Sequence, residues 1–166
     1  MSGGVLNDAQ WASVQDLVPI VCVDMLPVRE RPSGMQVGLI LRATPHQGRR
    51  WCLIGGRVRL DETLIEAAHR HWTDAVGDSL PFRLLEAPIV VEYAKDALSG
   101  RPHDPRKNAI AVTYRAQADG LATARGAEAL DFRWFQAAEL DEQVMGFGQE
   151  VVVNRLLSAP TPLTSA

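Results

Sequence analysis

Cysteine is scarce in this chain. There are two in 166 residues, Cys22 and Cys52, and both lie inside apolar runs, VPIVCVDML and WCLIGG. That is too few for a disulfide framework. Reduced core residues are the default reading, with a disulfide or metal pair as the alternative. Long hydrophobic runs are missing too. The longest near the N-terminus, LVPIVCV, is far too short to cross a bilayer, and no basic segment precedes an apolar one there. A cytoplasmic protein with no membrane partner is the expectation. Nor is there a surplus of positive charge: 17 Lys and Arg face 20 Asp and Glu, for a net −3. This balance argues against a broad nucleic-acid surface while leaving local basic clusters open. Low-complexity blocks and internal repeats are absent as well.

What remains is ordinary globular usage, 46% hydrophobic and 22% charged. The length suits a single domain over residues 1–166 that buries a normal core. Its ordered part is expected at about 8–158, with 1–6 and 159–166 as loose ends. Residues 8–18 suggest a short helix capped by Asp8. PIVCVDML and QVGLILR read as strands joined by a Pro/Arg/Gly-rich connection at 27–35. WCLI reads as a third strand, ending in a tight turn at Gly55-Gly56. From Glu62 the period becomes helical. Ile65, Ala68, Trp72 and Val76 share one face, and Gly77 is a natural stop. Further strands are expected at about 83–93, 109–116 and 131–135, and a closing helix at 151–158. The order predicts an α/β sandwich, helices packed around a mixed sheet.

Residues 55–77, GGRVRLDETLIEAAHRHWTDAVG, carry the chemistry. Glu62, Glu66, Arg70 and Asp74 recur every four residues and form a polar stripe opposite the apolar face. Alone, such a stripe is a solvated helix face. Joined to the glycine pair and the loop between, it is far more specific. The segment resembles the Nudix box, G-x5-E-x7-R-E-U-x-E-E-x-G-U, with U a bulky apolar residue. Gly56, Glu62, Arg70 and Gly77 fall on its fixed positions. His71, Asp74 and Ala75 stand where three box acids belong, and Asp78 replaces the last apolar position. GGRVRLDETL is most similar to GDP-mannose mannosyl hydrolases, as are DLVPIVCVDML and LDFRWF. The resemblance implies a Nudix-type α/β/α sandwich, Mg2+ (or Mn2+) as cofactor, and a nucleoside diphosphate derivative, such as a nucleotide sugar, as substrate. It also implies that Glu62 braces the loop against Arg70. In that branch the metal uses a glutamate, here Ala75, and the base is a histidine, here Ala129.

Replacements for the missing groups come from the same helix face. Asp74 can give Mg2+ one oxygen, and Glu128 a second, because substrate phosphates and water complete such shells. Equally, Asp74 can pair with Arg70, and Glu128 can be an exposed loop acid. His71 is a candidate base or phosphate contact, or else a core-edge histidine. The candidate catalytic set is therefore His71, Arg70 and Glu62. Arginines crowd the glycine pair: Arg42, Arg49, Arg50, Arg57 and Arg59. Arg57 is the first choice for bidentate phosphate contact and Arg42 the second, with solubility as the alternative. Asp24 matches an aspartate of the mannosyl hydrolases, a resemblance that implies substrate contact; as an acid in an apolar strand it is equally a bonded structural residue.

The segment 95–108 is long for a hairpin loop. It offers Lys95, Arg101, Arg106, Lys107 and His103 to an anionic ligand, or is solvated and mobile. Trp11 and its helix resemble a dimer-forming helix of the mannosyl hydrolases, so a homodimer is expected, against simple packing of Trp11 on its own subunit. Three functional classes stay open: a Mg2+-dependent hydrolase, which is preferred narrowly; a catalytically inactive nucleotide-binding or sensing protein; and an interaction protein keeping only the fold.

Overall fold

The computed structural model describes residues 6–44, 46–85, 87–96, 101–126, 129–141 and 144–158. Its central strand, β1 (Ile20–Arg31), is buried without a break from Cys22 to Val28. A strand reads so when helices cover both faces of its sheet. β1 pairs in parallel with β7 (Ala109–Ala118), and antiparallel first with β4 (Ile54–Arg57) and then with β2 (Gly34–Thr44). Pro27 lies between the residues paired with β4 and those paired with β2, at the point where the strand changes partner. β3 (Gly48–Cys52) and β8 (Asp131–Gln136) pair with β2, while β5 (Phe82–Leu84) and β6 (Ile89–Tyr93) pair with β7. The result is one eight-stranded mixed sheet.

Two apolar clusters lie on opposite faces of it. One gathers Cys22, Leu26, Leu39 and Leu53 under α3 (Gln149–Ser158), with Trp11 and Val14 of α1 (Asp8–Leu17) packed at its edge. The other gathers Val23, Met25, Ile40 and Ile54 under α2 (Leu64–Val76). This is the α/β/α sandwich that the sequence led us to expect. The two thiols are free and buried, and burial pushes Cys22 up to about 12 and Cys52 to about 11. No helix among the described residues is long and apolar enough to cross a membrane.

α2 is set by local chemistry. Thr63 caps it and exchanges bonds with Glu66: the Glu66 N–H donates to the Thr63 hydroxyl oxygen at 3.2 Å, and the Thr63 N–H to Glu66 Oε2 at 2.8 Å. Such a box is worth about 1 kcal/mol. Trp72 is fully buried, stacks on Phe82 at 4.1 Å and donates its indole N–H to Leu80 O at 2.8 Å. Gly77 ends the helix at φ +67, which a Cβ would strain.

Several expectations need correction. The cap of α1 is Asn7, not Asp8, because the Asn7 side-chain Oδ1 receives the Gln10 N–H. The connection at 27–35 is mostly strand. β1 and β2 run on into a hairpin that turns at residues 32–33, with Arg29 and Arg31 sending their charged ends to Gly120 O and Asp119. Ile65 does not join the buried face. It is 46% exposed, and Ala67 and Ala75 pack instead, since small residues let the helix sit close to β4. The stretch 83–93 is two short strands rather than one.

Gly55-Gly56 is not a turn either. Both residues lie within β4, opposite Asp24 and Val23. A Cβ on Gly55 would meet Val23 O at 2.2 Å, and one on Gly56 would meet the His71 ring at 2.8 Å. The glycines therefore serve close approach of β1 and α2 to the strand, not chain reversal. Residues 1–5 and 159–166, read as loose ends together with Leu6, lie outside the described residues.

Candidate functional site

Where β4 meets α2, a cleft of about 550 Å³ opens, a size suited to a small molecule. Its walls come from four places. β4 supplies Gly55, Gly56 and Arg57, and α2 supplies Arg70, His71, Asp74 and Ala75. α1 contributes Trp11 and Gln15, and the loop before β7 contributes Arg106 and Lys107. Ile40, Arg42, Arg59, Gly126 and Ala129 complete the lining.

One bracket fixes the β4–α2 wall. Arg70 donates to both oxygens of Glu62, at 2.5 and 2.7 Å, and the Arg59 N–H donates to Glu62 Oε2 at 2.8 Å. Hydrogen bonds from Arg70 hold the Glu62 carboxyl down at about 2. Arg70 also donates to Arg57 O at 3.1 Å, and His71 Nε2 lies 3.0 Å from that same oxygen. A carbonyl can only accept, so His71 Nε2 carries the proton in this bond. Glu62, Arg70 and His71 thus hold the backbone of Arg57 at the cleft floor. Glu62 itself stands behind the lining, where it braces the loop.

The Arg57 guanidinium lies over the Trp11 indole, 4.3 Å from its centroid. The Asp74 side chain is 65% exposed and 3.9 Å from Arg70 Nη1, a loose pair. On the opposite wall, Asp104 is buried and receives Arg106 Nε at 2.8 Å and Lys107 Nζ at 2.7 Å. Burial pushes its carboxyl up, yet these two cations together hold it far below the usual range. Nothing at the level of single residues singled out Asp104. An acid two and three residues before a basic pair is the signal that was there.

The candidates are placed as follows. Arg42, Arg57, Arg70, His71, Asp74 and Arg106 meet around the cleft, with Gly55 and Gly56 beneath them. Asp24 is buried under Gly55 rather than on the lining, and the Tyr93 hydroxyl donates to it at 3.2 Å. Burial raises its carboxyl to about 6. Gln149 donates to the Tyr93 oxygen in turn and accepts from the Leu53 N–H. His103 is not among the lining residues, and its backbone N–H donates to Phe147 O. Arg101 pairs with Glu92 and Lys95 with Asp16, both away from the lining. Arg49 and Arg50 sit on β3, off the lining. Glu128 lies outside the described residues.

Six basic residues therefore line the cleft: Arg42, Arg57, Arg59, Arg70, Arg106 and Lys107. Against them stand Asp74 on the lining and Glu62 and Asp104 behind it. The surplus is positive, and anions are the ligands it attracts. No group of three or more His, Cys, Asp or Glu side chains that could hold a metal occurs among the described residues. Asp74 is the one described acid on the lining, and Ala75 offers no oxygen from its side chain. The described residues do not by themselves make a metal site.

A family model described as Domain of unknown function (DUF4916) matches residues 1–160. No curated protein matches the chain. Among solved structures, a possible asymmetric diadenosine tetraphosphate (Ap4A) hydrolase from Jonesia denitrificans is similar at 29% identity and TM-score 0.74, with 85% of this chain and 94% of that one covered. The Nudix hydrolase RenU from M. smegmatis shares 26% identity at TM-score 0.63, over 89% of this chain and 90% of that one. The Nudix domain of Shewanella oneidensis NrtR, solved with ADP ribose, shares 19% at TM-score 0.64, over 90% and 97%. The architecture is that of the Nudix hydrolases.

Proposed function

Because the chain belongs to the DUF4916 family and has the Nudix fold, we propose that it binds a nucleoside diphosphate derivative in the cationic cleft. One observation carries this reading: six basic residues line a cleft on which the described lining bears a single acid. A diphosphate placed between Arg57, Arg42 and the Arg106–Lys107 pair would meet forked and point-charge donors from two walls. Glu62, Arg70 and His71 act as positioning groups, since they hold the Arg57 carbonyl from behind. Binding is thus possible without a protein-held metal, and the chain acts as a nucleotide-binding or sensing protein. ADP ribose, bound by the NrtR domain, and diadenosine tetraphosphate, for which the Jonesia protein is described as a possible hydrolase, are both adenosine phosphate derivatives. Nucleotide sugars are nucleoside diphosphate derivatives too, and the likeness to GDP-mannose hydrolases suggests them.

The lining position of Asp74 favours a second reading, Mg2+-dependent hydrolysis. There the ion (or Mn2+) would arrive on the nucleotide, with Asp74 and Glu128 as its protein oxygens and substrate phosphates and water for the rest. Its dependence on Asp74 separates it from the first reading. Calorimetry with ADP, ADP-ribose and GDP-mannose, with and without Mg2+, and a parallel product assay test the choice. Metal-independent binding without turnover is the expected result. Turnover that requires Mg2+ would replace it with the hydrolase reading. The homodimer is proposed separately, and light scattering that reports a monomer at micromolar concentration would reject it.

A further inference from the structure

α1 covers one end of the cleft and is held lightly. None of its residues is buried, and only Trp11, Val14 and Gln15 on its inner face are partly so. Asp16 pairs with Lys95 at 2.9 Å between two exposed side chains. Trp11 and Val14 pack at the edge of the cluster under α3, and the Arg57 guanidinium lies against Trp11. Trp11 is also the one large aromatic on the described lining, and Gln15 stands one turn further along the same face.

We infer that Trp11 and Gln15 form a nucleobase subsite, so that the cleft selects ligands bearing a flat heteroaromatic ring as well as a diphosphate. The inference rests on the diphosphate reading above and adds to it. One face of the indole is covered by the Arg57 guanidinium. That contact, at a part-exposed site, is weaker than a charge-assisted bidentate bond to phosphate. A bound diphosphate draws the guanidinium toward the cleft floor and bares the ring it covered. The base then stacks on that ring, and the Gln15 amide brings one donor and one acceptor to the base edge. Phosphate recognition and base recognition are joined through a single arginine. A base without phosphates meets a covered ring, and phosphates without a base leave the ring unused.

The test compares ADP with inorganic pyrophosphate on wild type, Trp11→Ala and Trp11→Phe, by calorimetry, with far-UV circular dichroism to confirm folding. Stacking on one aromatic predicts that Trp11→Ala weakens ADP about ten-fold and leaves pyrophosphate within about two-fold. Trp11→Phe keeps a ring and should restore most of the ADP affinity. Adenosine alone should bind wild type far more weakly than ADP. Equal losses of ADP and pyrophosphate on Trp11→Ala would overturn the inference, because Trp11 would then act only as a seat for Arg57. Unchanged ADP affinity would overturn it too, and both results leave the diphosphate reading standing. A wild-type chain that binds neither compound removes both.

Discussion

The two walls of the cleft use the same pairing of acid and base to opposite ends. At the β4–α2 wall, Glu62 and Arg70 form one closed pair that also grips the Arg59 N–H and the Arg57 carbonyl. At the opposite wall, Asp104 stands under two cations, Arg106 and Lys107. The first set is neutral and fixes backbone. The second sets two cations on one buried acid beside the cleft. An ion pair tied to backbone and two cations on one buried acid should respond differently to volume, salt and pH.

Volume gives the largest contrast. Gly55→Ala puts a methyl 2.2 Å from Val23 O, which backbone must move to relieve, so a loss of about 3 kcal/mol or more is expected. Denaturant melts at low and high salt should show similar losses, because the clash is steric, with Val23 O and the buried Asp24. Asp104→Ala comes next, at about 2 kcal/mol, since it strands Lys107 and Arg106 beside a buried cavity. Its penalty should shrink as salt rises, and a salt-independent penalty would remove the distinction between the walls.

Arg57→Ala should leave stability nearly unchanged and weaken ADP about ten-fold in calorimetry, through loss of a bidentate contact. The smallest effect belongs to Asp74→Asn. Its carboxylate is exposed and 3.9 Å from Arg70, so stability should stay within about 0.5 kcal/mol. Metal-free ADP affinity should hold or rise slightly as an acid leaves a cationic cleft. A fall that appears only with Mg2+ present would count for the hydrolase reading.

Acid titration sharpens the contrast further. The folded Glu62 carboxyl sits at about 2, below its ordinary 4.5. Its contribution is full above about 4.5 and is lost as pH falls toward 2. Asp24 runs the other way, at about 6 against an ordinary 3.8. The folded state holds its proton more tightly, so stability falls as pH rises from about 3.8 to 6. Glu62→Gln should flatten the stability curve on the acid side, and Asp24→Asn should flatten it between about pH 4 and 6. Melts across the acid and neutral range separate them.

The order of elements was readable because periodicity and caps are local. Thr63 and Glu66 lie three residues apart, Gly77 ends the helical run, and β7 alternates between faces over most of its length. The failures share a physical cause, since each depended on a partner distant in sequence. Pro27 and Arg29 looked like a loop, yet the strand tolerates both because β1 changes partner there and Arg29 lies over Trp134 at 4.1 Å. Gly55 and Gly56 looked like a turn because nothing nearby says that Val23 O and His71 crowd them. Ile65 looked buried because its spacing from Ala68, Trp72 and Val76 fits one helical face, whereas the face that packs is turned to take in Ala67 and Ala75. At the site, the box spacing led to Glu62, Arg70 and Arg57. The pairing of Arg57 with Trp11 joins positions far apart along the chain, and so Trp11 was read only for assembly.

Buried thiols give this fold an internal clock. Cys22 and Cys52 lie in the cluster under α3, with their proton affinities raised by burial. A folded molecule presents almost no thiolate to an alkylating reagent, whereas an opened one presents two ordinary cysteines. Labelling rates with iodoacetamide would therefore count opening events around the central strand. Mass spectrometry would tell which of the two sites opened first. Added nucleotide should slow that clock by the factor with which it favours the closed chain.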